Sequence, residues 1–471
     1  MRNTRGLIGL FAFLLFALVN APARADVAVP VNITLDPVTK LARIPDDFLG
    51  FGYETSAVAQ PGFFAAGNSR MVHLYQNLTP HGLIRIGGNV SDHTMYDPDG
   101  AVVVNAQNKV TVINRACLTD LGGFAKASGW SVMWGLNLGT GTKQMAVDEA
   151  VAVDQALGTS LQSFQIGNEV DFLPNFKHKY DAYHAAWADY KSGVREKLPH
   201  AVFSGPDVAN SLPFFEQFVT DESADMLTAT HHYYRSDMSD KRATMDFLLA
   251  HDDAFDKRLD KLRVACEPHH IPFRINEVNS FSGGGKPSVS DTFASALWVL
   301  DYSFTLASHG CAGVNIETDI NHRAFISWYS PIVHDEKMIC AARPEYYGLL
   351  AFAMASHGDL IKTTCDKSDL NLSTYATRAA DGTTWLVVIN KDLKSDAAVE
   401  AAIPEGTKSA EAFRLTAPAI DSKTDTAFAG ATVGDDGTWH PGKGEPVLVT
   451  GRTVHVTVPH ATAALIKIIG Q

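Results

Sequence analysis

The chain has 471 residues, of which 46% are hydrophobic and 19% charged, a globular composition that excludes a disordered chain. Its length suffices for one large domain and a smaller one. Its formal net charge of −13 argues against nucleic acid or an anionic membrane as a partner.

The first 25 residues are expected to be a signal peptide. Arg2 and Arg5 precede a 13-residue apolar core, Leu7 to Val19, and Ala23-Arg24-Ala25 fits a cleavage site before Asp26. Thirteen apolar residues fall short of a bilayer span. The expected destination is therefore outside the cytoplasm, periplasmic or secreted. Loss of Arg2, Arg5 and Arg24 takes the net charge from −13 to −16. Such a charge would repel a long polysulfated glycan.

Residues 26–45 contain a β-prone stretch, Val27–Leu35, expected to join a sheet formed by the far end of the chain. Residues 46–357 then alternate apolar, strand-like runs with helical patterns. The runs are Phe48–Thr55, Leu83–Gly88, Trp130–Asn137, Leu161–Glu169, Ala201–Ala209, Met226–Tyr234, Ile271–Asn279 and Cys311–Thr318. Helical stretches include Asn114–Ser128, Val147–Leu157, Tyr180–Leu198, Ala243–Cys266 and Asp291–His309. Eight such units predict an α/β fold, a (β/α)8 TIM barrel. The alternative is a doubly wound sheet, but no G-x-G-x-x-G follows the first run. In residues 358–471 short β-prone segments such as Thr384–Asn390, Glu445–Thr450 and Thr453–Val458 lie between polar turns, predicting a C-terminal β-sandwich.

The active site of such a barrel lies where the strands end. The fourth and seventh runs end in Asn168-Glu169 and Asn276-Glu277. A carboxylate closing a buried strand is costly without a partner or a task. Two of them across one barrel mouth supply the proton donor and the nucleophile or base of glycosidic cleavage. On this reading Arg274 is a candidate cation beside Glu277, and Asn168 a partner for a sugar hydroxyl. No metal or cofactor is needed. His231-His232 lacks a third ligand at suitable spacing and reads as packing around Glu277. Gly283-Gly284-Gly285-Lys286 lacks the spacing of a phosphate loop. The five cysteines, Cys117, Cys266, Cys311, Cys340 and Cys365, leave at least one unpaired. Cys340–Cys365 would close the shortest disulfide loop, and buried free thiols are the alternative.

Several stretches carry a resemblance. They are Ile84-Arg85-Ile86-Gly87-Gly88-Asn89, Gly135-Leu136-Asn137, Gly167-Asn168-Glu169, His231-His232-Tyr233-Tyr234, and Glu277 followed by Gly283-Gly284-Gly285. Ser290-Asp291-Thr292-Phe293-Ala294 and Pro344-Glu345-Tyr346-Tyr347-Gly348 extend it. Together they resemble glycoside hydrolase family 79, the heparanase and β-glucuronidase family. The resemblance implies Glu169 as acid/base, Glu277 as nucleophile, and retention of configuration. It implies that Glu54, Asn168 and Tyr233 line the glucuronic acid subsite. Gly283 and Gly284 would offer N–H groups, and Tyr329 a hydroxyl, to the sugar carboxylate. Ser282 departs from the Tyr that heparanase-like members carry there. Asn321-His322-Arg323 also departs from the pattern, with Arg323 an alternative partner for the uronate.

The expected function is thus an exported β-glucuronidase acting on small glucuronides or glycan ends. The alternatives are a β-glycosidase for a neutral sugar, such as a β-xylosidase, and a non-catalytic glycan-binding protein. The expected partner is carbohydrate, and the oligomeric state is left open.

Overall fold

The structure is a computed structural model that describes residues 28–105, 110–320, 327–334, 340–367, 369–403 and 406–470. The expected signal peptide and Asn321-His322-Arg323 lie outside these residues.

The eight apolar runs form eight parallel strands: Gly50–Glu54, Leu83–Gly87, Ser131–Leu136, Leu161–Ile166, Gly205–Val208, Ala229–Asp237, Phe273–Ser282 and Val314–Glu317. They are the first to eighth barrel strands below. Each pairs with the next, and the eighth returns to the first through Ile316 opposite Phe51 and Glu317 opposite Gly52. The seam between the fourth and fifth is thin. It consists of one bridge, Phe164 to Phe203, with Phe164 N–H on Val202 O at 2.8 Å and Ser204 N–H on Phe164 O at 2.9 Å. The ring is closed, so the expected TIM barrel is the observed fold.

Helices pack outside the ring because each strand run is buried on both faces. Arg115–Ser128 starts at the Asn114 cap and stops at Gly129, whose φ of 82° suits glycine. The expected single helix from Ala243 to Cys266 is two, Met245–Leu249 and Asp253–Cys266. Asp252 divides them: its carboxylate accepts from Phe255 N–H and so opens a new helix rather than continuing the old one. A small sheet of Thr94–Tyr96, Val103–Asn105 and Val110–Ile113 follows the second barrel strand. Sequence reading did not anticipate it.

Ile332–His334 and Cys340–Ala342 pair with each other, and the remaining strands form one eleven-stranded sheet. Val29–Arg43 runs through it, antiparallel to Asp359–Asp366 and parallel to Ala397–Ala402. Thr453–Val458 also lies against Thr384–Asn390 and Thr462–Ile469, so the sheet folds back on itself as a sandwich. Thr384–Asn390 shows how the period of two serves both neighbours. Leu386 and Val388 enter the sandwich core, while Val387 and Ile389 enter the core shared with the barrel. No disulfide joins any of the five cysteines, so the Cys340–Cys365 disulfide does not form in this structure.

A buried ion pair fastens the two units. Lys391 Nζ lies 2.5 Å from Asp301 on the barrel helix Phe293–Ser308, and Tyr375 donates to the other Asp301 oxygen at 2.8 Å. Lys391 is 3% exposed. Removing one member of a buried pair strands the other charge and costs about 3–5 kcal/mol. Lys391→Ala should therefore lower unfolding stability by about that amount, measured by urea denaturation. A loss below ~1 kcal/mol, the usual value of a surface pair, would refute this role.

Candidate active site

The strand ends surround a cavity of about 470 Å³. Glu54, Glu169, Tyr233, Glu277, Gly283, Gly284 and Tyr329, all sequence candidates, line it. Asn168 does not.

Beneath the cavity lies Arg85, from the middle of the second strand and fully buried. Its guanidinium donates to Glu277 Oε2 at 2.8 Å, to Asn168 Oδ1 at 2.6 Å, and to Asp207 Oδ2 at 2.6 Å. Gly87 makes room for it, since a Cβ there would fall 2.6 Å from Arg85 Nε. Arg274 does not play the expected part. It bonds Asn315 and the carbonyls of Asp47, Phe48 and Val314, near the start of the eighth strand. The correction is geometric: Arg274 comes three residues before Glu277, at the opposite end of the barrel interior.

His232 is the second cation. Its Nδ1 lies 3.3 Å from Glu169 Oε1 and 3.5 Å from Glu277 Oε2, and its Nε2 lies 3.0 Å from Asp207 Oδ1. Burial alone would discharge it, but the charges of Glu277 and Asp207 hold its pKa well above the usual histidine value. A carboxylate oxygen of Glu169, a ring nitrogen of His232 and a carboxylate oxygen of Glu277 all lie within 4.8 Å of one another. With carboxylates at both ring nitrogens, the imidazole serves as a donor to each rather than as a metal ligand. The expected packing role for His231-His232 therefore understates His232.

Two bulges build this arrangement. Between the sixth and seventh strands His231 pairs with Ile275 and His232 with Glu277, skipping Asn276. Between the fifth and sixth, Thr230 pairs with Pro206 and His231 with Val208, skipping Asp207. A bulge re-aims the extra side chain. Both extra residues turn inward, and Asn276 Nδ2 donates to Asp207. Asp207 also accepts from Gln165 at 2.7 Å. Burial opposes its charge, but Arg85 and His232 hold its carboxyl well below the usual range.

The two glutamates differ in surroundings. Burial, with the charge of Glu277 adding to it against the His232 hydrogen bond, raises the pKa of Glu169. Glu277 accepts from Arg85 and, at 3.0 Å, from the Tyr234 hydroxyl. Glu54 accepts the N–H groups of Asn89 and Val90 at 3.2 and 2.7 Å; burial and then Asp319 push its carboxyl up to about 8.

Three of the expected site residues are engaged within the protein. Tyr233 presents its ring to the cavity, but its hydroxyl donates to Asp252 and its ring stacks on Phe255 at 3.9 Å. The hydroxyl on Glu277 belongs to Tyr234, because neighbouring strand residues point to opposite faces. Asn168 is held below the floor by Arg85, with its own N–H on Asp92 at 3.1 Å. Tyr329 lines the wall, but its hydroxyl donates to Asp319 at 3.0 Å. Burial, with the charge of Glu277 acting against that hydrogen bond, pushes Asp319 up to about 6. Sequence reading missed Arg85, Tyr234 and Asp319 as site residues. Arg85 carried a signal, as the one charge inside the apolar run Leu83–Gly88.

Known proteins share this build. Residues 374–465 match the Glycosyl hydrolase family 79 C-terminal beta domain. A β-glucuronidase of Aspergillus niger is 23% identical over 376 residues, 68% of each chain. One of Neurospora crassa is 23% identical over 431 residues, 76% of this chain and 74% of its own. In fold, the crystal structure of a 4-O-α-L-rhamnosyl-β-D-glucuronidase from Fusarium oxysporum superposes with a TM-score of 0.77. It is 19% identical and covers 94% of this chain and 100% of that one. An α-L-arabinofuranosidase from Thermotoga maritima reaches a TM-score of 0.69 at 14% identity, covering 93% of this chain and 100% of that one. The fold and the facing carboxylates define a glycoside hydrolase. The C-terminal sheet matches that of glycoside hydrolase family 79, and the curated relatives that the chain resembles are β-glucuronidases.

Asp207→Asn removes one of the charges that hold His232 protonated and leaves Arg85 opposite it. The His232 pKa should fall, a change read from its ring nitrogens in an NMR titration. An unchanged His232 titration would contradict the assigned coupling.

Proposed function

We propose that this protein is a retaining β-glucuronidase that hydrolyses terminal β-linked glucuronic acid, with Glu169 as acid/base and Glu277 as nucleophile. The carrying observation is that oxygens of these two glutamates lie within 4.8 Å of each other across His232. Retaining glycosidases hold their carboxyls about 5–5.5 Å apart, whereas inverting ones need about 6.5–9.5 Å to admit a water.

The chemistry follows from the surroundings. A Glu277 oxygen attacks the anomeric carbon as its bond to the leaving oxygen breaks, and Glu169 gives that oxygen its proton. Water then attacks the same carbon, passing its proton to Glu169 and releasing Glu277. Two inversions give net retention. Arg85 and Tyr234 orient the nucleophile, and the raised pKa of Glu169 keeps its proton available for the first step.

The similar β-glucuronidases support glucuronic acid as the sugar. Among the described residues neither the Gly283 nor the Gly284 N–H finds an acceptor, so both can serve a uronate without a net basic protein. Exo action on small glucuronides or glycan ends suits the acidic chain. One observation favours a neutral sugar instead: Asp319 places a carboxyl in the same wall as Tyr329 and Ser282. A panel of nitrophenyl glycosides separates the two, and cleavage of the xyloside but not the glucuronide would overturn our choice. Export stands as a further proposal, with Asp26 expected as the first residue when the mature protein is sequenced.

Glu169→Gln and Glu277→Gln should each lower kcat by about 10²–10⁴-fold. The Glu169→Gln loss should shrink as the leaving group becomes more acidic, because such a group needs no proton. The Glu277→Gln loss should not. In wild type, kcat/KM should fall as pH rises through the Glu169 pKa, and Glu169→Gln should lack that limb. NMR should detect the β-anomer of the sugar first; the α-anomer first would refute retention.

A further inference from the structure

We propose that Phe172 and Asn210 form the aglycone subsite of this enzyme and select leaving groups that present a ring with an apolar face. The inference rests on the role assigned to Glu169 and adds what the leaving group must look like.

Phe172 is 50% exposed, and it is the one aromatic residue left exposed among the described residues. A scattered surface valine or leucine needs no explanation. This phenyl ring instead lies at the wall of the cavity that holds both glutamates. Its position along the chain fixes its side of the cavity. Phe172 follows Glu169 by three residues, and its N–H donates to the Glu169 carbonyl at 2.7 Å in a tight turn. The group that gives a proton to the leaving oxygen must lie against the leaving group. The wall next to Glu169 is therefore the aglycone side. The sugar side is built from the first, seventh and eighth strand ends, by Glu54, Gly283 and Tyr329.

The subsite is also held in place. Asp171 accepts the N–H groups of Ala209, Asn210 and Ser211 at 2.9, 3.0 and 3.0 Å. It thereby ties the loop after the fourth strand to the loop after the fifth, and sets Phe172 beside Asn210. Asp171 itself is 6% exposed, so the tie is sheltered from water. Asn210 lines the same cavity and is exposed. Among the described residues its backbone groups are engaged, by Asp171 and by Arg258 at 3.3 Å, while its carboxamide has no partner. A flat apolar surface beside a free amide fits a ring with polar groups on its rim. Phenolic rings and the apolar face of a second sugar share that chemistry.

The test compares kcat/KM for methyl, phenyl and disaccharide β-glucuronides in wild type, Phe172→Ala and Phe172→Trp. Phe172 makes half-exposed contacts, so both variants should fold. In Phe172→Ala the ratio of phenyl over methyl should fall about tenfold, and Phe172→Trp should restore it. A matching fall in the disaccharide over methyl ratio would assign the platform to sugar rings as well; no fall there would confine it to aromatic ones. Unchanged ratios for both ring substrates in Phe172→Ala, whatever the absolute rates, would overturn the proposal. If wild type cleaves only neutral glycosides, the glucuronic acid reading fails, and the same ratios measured on those glycosides still decide the role of Phe172.

Discussion

The active site depends on a guanidinium with no access to water. Burying an ion costs several kcal/mol unless partners surround it. Arg85 meets that demand with Glu277, Asp207 and Asn168 at 2.6–2.8 Å. Each of those partners is thereby fixed in turn. Glu277 is aimed from the seventh strand, Asn168 is drawn below the floor next to Glu169, and Asp207 is placed under His232. One side chain of the second strand thus orders groups from the fourth, fifth and seventh. The same guanidinium offsets negative charge in a site crowded with carboxyls, which is what allows several acids to face one cavity.

His232 completes the balance and separates the two glutamates. It stands between them, with Asp207 behind it at 3.0 Å. Glu277 has a guanidinium and a phenol hydroxyl. Glu169 has the imidazole, and burial dominates its titration. Chemically identical side chains are in this way given different partners and surroundings. The arrangement depends on backbone irregularity as much as on residue type. Without the bulges at Asp207 and Asn276, strand alternation would turn those two side chains away from the interior.

The two ends of the cavity are built on different principles. Backbone N–H groups on a glycine turn, a buried tyrosine and Glu54 form the wall proposed to receive the sugar. The wall proposed for the aglycone carries a half-exposed phenyl ring and an amide, on loops that Asp171 ties together. Far below, the folded-back sheet holds the outer helices of the barrel through an apolar face and the Lys391–Asp301 pair.

Much of this was legible in the sequence, for a physical reason. Strand and helix periods are local, so eight buried runs and the carboxylates that end the fourth and seventh could be read directly. The Gly-Asn-Glu turn and the glycines after Glu277 also carry their chemistry on their face. What could not be read was which side chains meet across the ring. Arg274 and Arg85 are both arginines in barrel strands, and only the closed barrel puts one at the glutamates and the other at the far end. Tyr233 and Tyr234 are adjacent and identical, and only strand direction and a bulge decide which hydroxyl reaches Glu277. The sequence by itself determined the fold and the pair of acids, because both follow from local pattern. Tertiary structure decided their partners, because a hydrogen bond between strands depends on register, and register is a property of the assembled ring.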